Sequence, residues 1–402
     1  MTAVLRTTWL AGKRFLAGYH GWLLVALWAA VQVGCWRHAQ GPRLFGDGIN
    51  YLDYAYLIID NDALGHGHYL QYVGYALFLL VFIKYNLGIV SICLAQVALS
   101  GAAAWAYYRT ALQLSGTYWP TAFLATAALV SWVEVQGFNT IILTESLFTS
   151  LLIFCLWAVA RVRTIGTIST ALAILVVTLT VRPNGFVALA AAALAGLSWL
   201  LQTGRIRWAA LLLLGLLAIA WVEVNKLVVA FHLIETYVAG SVIFGYTLPL
   251  ITQPAIPLLP NPTLLPANQL LYFIGNNFLY FTKLSLLKLA YFLGLPKPWH
   301  SALHTAWAVL TLPLMYGLAI RGAWCKEIAK PIRVYLVATI VAQAGIVMLT
   351  LEDWDNRFSG PLIPYWLLLA ALGAQPILKR WKKHLIRTMY KPHLPRPTIV
   401  RN

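Results

Sequence analysis

The chain consists of long apolar runs separated by shorter segments that hold nearly all of its charged residues. An apolar run of about 20 residues can cross the ~30 Å hydrocarbon layer as a helix, which satisfies its own backbone hydrogen bonds. Strands of a membrane barrel would instead alternate apolar and polar positions, and these runs are uninterrupted. The pattern therefore predicts an all-α polytopic membrane protein with about ten transmembrane helices. They are predicted near residues 20–37, 88–108, 119–135, 146–160, 165–181, 186–202, 208–225, 302–320, 332–351 and 361–377.

Two further apolar segments do not fit this alternation. Residues 69–84 (YLQYVGYALFLLVFIK) are long enough to span, but a crossing there would reverse the sidedness of every later loop. Because aromatic residues favour the membrane interface, we predict a juxtamembrane helix in the outer leaflet. Residues 270–294 are interpreted in the same way, or as an even number of short crossings.

Composition and charge agree with this prediction. Of the 402 residues, 60% are hydrophobic and only 10% are charged, whereas a soluble domain carries about 25% charged residues. The net charge of +17 would suggest a nucleic-acid partner in a soluble protein. Here the basic residues lie at the ends of apolar runs, where they orient helices in the membrane. We therefore expect membrane lipid and no nucleic acid as partner, and we interpret residues 379–402 as a basic cytoplasmic tail that lies on anionic lipid.

The distribution of Lys and Arg predicts the orientation. With the N-terminus in the cytoplasm, 20 of the 29 Lys and Arg fall on the cytoplasmic side, as the positive-inside rule requires. Both termini are then cytoplasmic. Residues 21–36 have no small-residue cleavage site after them, so we interpret them as a retained first span. The sequence contains no Asn-x-Ser/Thr sequon without proline at x, since the one at 261–263 has proline there, so we expect a bacterial inner (plasma) membrane.

Eleven of the 12 acidic residues fall on the outer side in this topology, and Glu327 alone is cytoplasmic. Acidic residues contribute little to orientation, so the asymmetry has another cause. A catalytic or binding chamber at the outer face would explain it. The alternative is that the outer loops are longer and collect more polar residues.

The first outer loop contains residues 45–55 (FGDGINYLDYA), which have the pattern of a short helix. If residues 48–57 are helical, Asp47 occupies the N-cap position, where a carboxylate accepts hydrogen bonds from backbone N–H groups. Tyr51 and Ala55 then share one face at i, i+4 spacing. A capping Asp is sufficient to explain this spacing taken alone.

Asp47, Tyr51 and Ala55, placed just after the first span, resemble the first outer loop of the GT-C superfamily of membrane glycosyltransferases. This superfamily includes the protein O-mannosyltransferases and the aminoarabinose transferases. Its members often carry an acidic residue directly after the Asp, where this chain has Gly48. Four further segments resemble family motifs, in the same order and on the same predicted side. They are residues 68–78 (HYLQYVGYALF), 143–148 (LTESLF), 180–185 (TVRPNG) and 355–364 (DNRFSGPLIP).

The resemblance implies a GT-C-like transmembrane catalytic domain over residues 1–378. It implies a glycosyltransferase that moves a sugar from a polyprenyl-phosphate-linked donor to an acceptor at the outer face of the membrane. The acceptor would be a glycan, a lipid or a protein. In such enzymes the Asp of the first outer loop, here Asp47, is the catalytic carboxylate. Glu145 lies in the segment that resembles the second acidic element of the family, and it would assist Asp47.

The chemistry of this transfer suits the basic residues of these motifs. Transfer leaves a phosphate anion, and Arg stabilises such an anion through bidentate hydrogen bonds. We therefore predict that Arg182 and Arg357 bind the donor phosphate, with snorkelling to the interface as the alternative explanation. Asp47 would accept the proton of the acceptor hydroxyl, which is a poor nucleophile while neutral. Tyr51 and Lys226 are predicted to bind substrate as well, with a polar cluster at the helix end as the alternative for Lys226.

Three segments contain side chains that could ligate a metal ion. Two Asp-x-Asp segments, at 60–62 and 353–355, have a form that can hold a divalent ion with a sugar phosphate. Residues 66–68 contain a histidine pair that could ligate a metal. Acids and histidines in loops often arise without such a role, so we predict no cofactor and keep a divalent ion as the alternative.

Two other functions remain open. A transporter or flippase for a lipid-linked or small polar substrate would place charged groups near the bilayer midplane and often contain internal repeats, and the sequence favours neither feature. An acyltransferase or an O-antigen-ligase-like enzyme is the other alternative. The acyltransferase would need a histidine near the reaction side, for which His232 and His304 are candidates.

Overall fold

The structure is a computed structural model that describes residues 3–61, 63–64, 67–245, 258–353 and 356–389. Within these ranges every regular element is helical, and two isolated β-bridges join connecting segments. The α-helices are α1 (Ala3–Ala39), α2 (Asp47–Asn61), α3 (Val73–Lys84), α4 (Gly88–Leu114), α5 (Trp119–Val130), α6 (Val133–Gly137), α7 (Thr144–Val159), α8 (Ile165–Val181), α9 (Gly185–Gln202), α10 (Ile206–Ala230), α11 (Leu233–Val238), α12 (Pro266–Asn276), α13 (Phe278–Phe292), α14 (Ala302–Ala323), α15 (Lys330–Leu349) and α16 (Ile363–Met389). Short 3-10 helices cover Gly67–Tyr72, Phe138–Thr140 and Gly360–Leu362.

Six helices in the described ranges are long and apolar enough to cross a membrane. They are α4, α9, α10, α14, α15 and the segment Gly360–His384, which contains most of α16. The helix α5 and the segment Val133–Thr140 make a seventh if this pair, bent by 54°, is one span. The helices α7 and α8 and the segment Tyr69–Lys84 are shorter apolar helices. The predicted all-α protein with several possible membrane spans is therefore confirmed, while the count of ten stays a prediction.

The predicted apolar runs coincide with helices, with one interruption. The run at 119–135 is broken at Ser131 and Trp132, between α5 and α6. Residues 69–84, predicted to lie along the outer leaflet, form the end of a 3-10 helix followed by α3. Residues 270–294 contain α13 and most of α12, which are two separate helices.

The helix α16 also contains the start of the predicted basic tail. It continues through Lys379 and Lys382 to Met389, and both ammonium groups lie 5.6 Å from the ring centroid of Tyr118, in the loop between α4 and α5. The first part of the tail is thus a helical extension of the last apolar segment. Residues 390–402 lie outside the described residues.

The helices α14 and α16 approach each other closely at two glycines. A Cβ atom added at Gly322 would lie 1.9 Å from the carbonyl oxygen of Leu369, and one at Gly373 would lie 2.0 Å from that of Leu318. Small residues let helix backbones touch, which gives tight packing where apolar surroundings weaken the hydrophobic effect. Neither position has room for a side chain.

A short parallel bridge fixes the first connecting segment to the start of α7. The Arg43 N–H donates to the Thr140 carbonyl at 2.8 Å, and the Ile142 N–H donates to the Arg43 carbonyl at 3.0 Å. Gly48, in the first turn of α2, packs on this bridge, since an added Cβ would lie 2.4 Å from the Ile142 carbonyl oxygen. The N-terminus of α2 is therefore held against the start of α7.

Buried amides fix the start of α7 from the other side. Gln32 of α1 donates to Gln136 Oε1 at 2.7 Å, and Asn139 donates to Gln32 Oε1 at 3.1 Å. The hydroxyl of Ser146, in the first turn of α7, donates to Asn139 Oδ1. Polar groups in an apolar interior require such partners, so this network restrains α1, α6 and α7 relative to one another.

Candidate functional site

Four of the predicted site residues lie at the ends of different helices. Asp47 is the first residue of α2, Glu145 lies in the first turn of α7, and Arg182 directly follows α8. Arg357 lies in the turn before α16. These helix ends meet at one end of the bundle, and the four side chains form a single cluster, which we call the charge row.

The charge row is a continuous chain of ion pairs. Arg357 Nη1 donates to Asp47 Oδ2 at 2.7 Å, and Arg357 Nε donates to Glu145 Oε1. Arg182 Nη1 lies 3.0 Å from the same Glu145 oxygen and 3.4 Å from the backbone carbonyl oxygen of Arg357. Two guanidinium groups therefore share one carboxylate, and Asp47 ends the row.

Solvent exposure changes along the charge row. The Glu145 side chain is 0% exposed and that of Arg182 is 7% exposed, whereas the values are 16% for Arg357 and 48% for Asp47. A buried carboxylate needs charged partners to offset its desolvation, and Glu145 has two. Asp47 is the member of the row that a substrate can approach most readily from solvent.

The guanidinium of Arg357 stays charged in this environment. Burial disfavours the charged form, but Glu145 and then Asp47 outweigh burial and raise the pKa of Arg357 above its already high value. A guanidinium carries five N–H donors. The side-chain contacts in the described part of the chain use Nε and Nη1 of Arg357 and Nη1 of Arg182, so donors remain for a phosphate group.

Aromatic side chains surround the charge row. The guanidinium carbon of Arg182 lies 5.7 Å from the ring centroid of Phe148 and 5.4 Å from that of Phe358, which are distances of cation–π contacts. Tyr51 packs against Tyr72 with ring centroids 5.1 Å apart. Burial raises the pKa of both Tyr51 and Tyr72, so the two phenols are neutral and able to donate hydrogen bonds. Tyr72 was not predicted as a site residue, although it lies in a family-like segment.

Helix α2 presents the predicted face to the protein. Tyr51 and Ala55 are buried, whereas Asp53 is exposed. The packing of this helix also explains Gly48. Any side chain at this position would collide with the backbone of Ile142.

Lys226 does not join the charge row. Its ammonium pairs with Glu223 at 2.7 Å on the exposed surface of α10. The neighbouring Asn225 side chain accepts a hydrogen bond from the Ala267 N–H at 3.0 Å, at the start of α12. These contacts match the alternative interpretation, a polar cluster at the helix end. The structure therefore brings five of the six predicted site residues together and places Lys226 elsewhere.

A buried lysine that was not predicted, Lys297, supports the loop of Arg357. Lys297 Nζ donates to the Asp353 carbonyl and to Asn356 Oδ1, and lies 4.0 Å from Glu352 Oε1. Burial raises the pKa of Glu352 to about 8. Because Asn356 directly precedes Arg357, Lys297 fixes the backbone from which Arg357 projects. The available signal was one Lys in a largely apolar and aromatic segment.

Within the described ranges, no group of three or more His, Cys, Asp or Glu side chains could hold a metal ion. Parts of the predicted segments fall elsewhere. Asp62, His66, Trp354, Asp355 and the side chain of His68 lie outside the described residues.

No family model, no curated protein and no solved structure matches the chain. The site combines an accessible carboxylate, two guanidinium groups with unused donors and neutral phenols at one end of a helical bundle. Such a set can bind a phosphate-bearing substrate and accept a proton from a hydroxyl beside it.

Proposed function

We propose that the protein is an integral membrane glycosyltransferase of the GT-C type. It transfers a sugar from a polyprenyl-phosphate-linked donor to a glycan, lipid or protein acceptor. The observation that carries this proposal is the charge row, in which Asp47, Glu145, Arg182 and Arg357 meet from four separate elements. Ten spans would place the row at the outer face of a bacterial inner membrane, with both termini cytoplasmic. The order of the family-like segments and the distribution of Lys and Arg support this topology.

In the proposed reaction, Arg182 and Arg357 bind the donor phosphate through N–H groups that the carboxylates leave unused. Both residues lie at helix ends, where a lipid anchored in the bilayer would present its phosphate. As the bond between the sugar and the phosphate breaks, the phosphate oxygen takes the electron pair. The two guanidinium groups stabilise the charge that develops on that oxygen.

Asp47 acts as the general base. It takes the proton of the acceptor hydroxyl while the hydroxyl oxygen forms its bond to the anomeric carbon of the sugar. Its exposure at the end of the row supports this role. Glu145, predicted as a second catalytic carboxylate, is fully buried between both guanidinium groups. It acts as a positioning residue that orients Arg182 and Arg357.

The experiment is a turnover assay with purified protein in lipid nanodiscs, read by mass spectrometry. From a panel of polyprenyl-phosphate sugars and of glycan, lipid and peptide acceptors, we expect one donor to be consumed. Polyprenyl phosphate and a glycosylated acceptor should appear together. Asp47→Asn keeps the size of the side chain but cannot take a proton, and serves as the inactive control. Absence of turnover with every donor, combined with donor movement between the leaflets of proteoliposomes, would identify a flippase and overturn the proposal.

A further inference from the structure

A recess lined by aromatic side chains lies beside the charge row. It is partly open to solvent, and α14 and α16 form much of its wall. The half-buried indoles of Trp132, Trp307 and Trp366 line it, together with Tyr316 and Phe138. We call this feature the indole recess.

The aromatic rings of the indole recess form two perpendicular pairs. Trp132 and Trp307 have ring centroids 4.8 Å apart and planes at 72°, and Tyr316 and Trp366 have values of 4.7 Å and 66°. In an edge-to-face pair, the ring that contributes its edge keeps both faces uncovered by its partner. The recess therefore offers flat apolar faces in two orientations.

Polar groups lie among these rings. Glu134 Oε2 accepts a hydrogen bond from the indole N–H of Trp132 at 3.3 Å, and Glu134 Oε1 lies 3.5 Å from His304 Nε2. The Asn356 side chain uses its oxygen to accept from Lys297, which leaves its two N–H groups as donors. A carboxylate acceptor and an amide donor thus face the same aromatic space.

The charge of the indole recess disfavours an anionic ligand. Glu134 is a carboxylate, and burial, followed by the proximity of His304 and Lys297, lowers the pKa of His300 to about 4, so that His300 is neutral at physiological pH. Lys297 itself is fully buried and bonded to Asn356. A purely apolar ligand would leave the N–H groups of the Asn356 side chain without a partner. The combination suits a neutral ligand with both C–H faces and hydroxyl groups.

We propose that the indole recess binds a neutral pyranose ring of a saccharide acceptor. The C–H faces of the ring stack on the indoles, and its hydroxyl groups bond to Glu134 and Asn356. This inference rests on the proposed function and makes the acceptor of that reaction a glycan.

The backbone connects this recess to the charge row. Asn356 and Ser359 line the recess. Arg357 and Phe358, between them in the sequence, both contact Arg182, and Arg357 also pairs with Glu145. A single turn of chain therefore separates a sugar in the recess from the residues that bind the donor phosphate. An adjacent hydroxyl of the acceptor is then close to the transfer site.

The first experiment measures saccharide binding to the full chain in lipid nanodiscs, without donor, by saturation-transfer difference NMR. The probes are methyl glucosides, galactosides and mannosides. We expect Trp307→Ala to weaken binding of the best probe about two- to tenfold, because one stacking surface is lost, while Trp307→Phe retains most of it. Trp208→Ala, on the exposed surface of α10, is the matched control and should bind like the wild type. No signal with any neutral pyranose, or equal affinity in Trp307→Ala, would overturn the inference.

A second variant separates charge from packing. Glu134→Gln keeps the side-chain size, and we expect it to increase binding of glucuronic acid relative to methyl glucoside, because it removes a negative charge from the recess. An unchanged ratio would place Glu134 outside the binding site and contradict the proposal. If sugar binding depends on Trp307 but the protein turns over no donor, the result would support the saccharide site in the recess and refute the proposed transferase activity. If Trp307→Ala turns over donor with an unchanged acceptor KM, the result would refute only the proposal that the recess binds the acceptor.

Discussion

Arg357 Nη1 and Asp47 Oδ2 lie 2.7 Å apart, although 310 positions separate the two residues in the sequence. The contact joins the first turn of α2 to the turn before α16. The same guanidinium also binds Glu145, so one side chain connects an exposed carboxylate to a buried one. Substitution of Arg357 is therefore expected to change turnover, because Asp47 loses a partner, and to lower stability, because the buried Glu145 loses one of its two cations.

Arg357→Ala should weaken donor binding and lower thermal stability. It removes one of two cations that offset the buried charge of Glu145, and breaking a buried ion pair costs about 3–5 kcal/mol when no partner remains. Because Arg182 remains, we expect the lower end of that range. Arg357→Lys should restore binding only in part, since an ammonium group cannot make the bidentate hydrogen bonds of a planar guanidinium. Donor titration and thermal unfolding in nanodiscs measure both effects, with exposed Arg205→Ala as control. Unchanged donor affinity in both Arg357→Ala and Arg182→Ala would show that neither binds the phosphate.

Asp47→Asn should reduce turnover by about 10²–10⁴, the usual contribution of a general base. Donor affinity should change much less, because the amide keeps the size of the side chain. Asp53→Asn is the matched control on the same helix, and its exposed side chain predicts wild-type turnover. The measurement compares the two variants at equal expression. An active Asp47→Asn beside an inactive Asp53→Asn would assign the base to Asp53.

Gly322→Ala should destabilise the protein through the crossing of α14 and α16. The new methyl would lie 1.9 Å from the Leu369 carbonyl oxygen, and overpacking of this kind costs about 1–3 kcal/mol. Gly317→Ala on the same helix is the control, since an added Cβ there has no neighbour within 4 Å. Thermal unfolding in nanodiscs should rank Gly322→Ala below both Gly317→Ala and the wild type. Equal melting temperatures would mean that the crossing is looser than described.

Glu352→Gln should change how stability depends on pH. The folded-state pKa of Glu352 is about 8, above its ordinary 4.5, because burial disfavours the carboxylate. Such a group contributes stability that is fully present below pH 4.5 and is lost as the pH rises through 8. Because Gln cannot ionise, the melting temperature of the variant should rise relative to the wild type between pH 5 and pH 8.5. The exposed Glu223→Gln control should follow the wild type, and parallel curves for Glu352→Gln would contradict the prediction.

The topology predicts that residue 205 is cytoplasmic. In a variant without the native cysteines, Arg205→Cys should react with a membrane-impermeant maleimide only after permeabilisation of the cells. Ile49→Cys, exposed on α2, should react in intact cells and serves as the opposite control. Labelling at position 205 in intact cells would show that the orientation is the reverse of the prediction, with the charge row on the cytoplasmic side.

Local properties explain what could be predicted from the sequence. The length of an apolar run and its lack of charge are local, so helix positions followed directly from them. The i, i+4 arithmetic that put Tyr51 and Ala55 on one face of α2 is local as well. Arg182 and Arg357 were identified because each lies in a short segment that resembles a family motif, at the outer end of a predicted span, and because Arg suits a phosphate.

The features that could not be predicted depend on which helices are neighbours. No local pattern indicates that Arg357 reaches both Asp47 and Glu145, or that Lys297 supports the loop of Arg357. Lys226 was placed at the correct end of its helix, but the sequence does not reveal which side of the bundle α10 occupies. The break after α5 was also missed, because neither Gly nor Pro interrupts the chain at Ser131 and Trp132.

The close contact at Gly322 and Gly373 has a mechanical consequence. The helices α14 and α16 touch at these glycines and also line the indole recess, to which they contribute Trp307, Tyr316 and Trp366. They are in contact at the recess as well, where the rings of Tyr316 and Trp366 have centroids 4.7 Å apart. A substitution that separates the two backbones at these glycines is therefore expected to alter the recess, although neither glycine lines it.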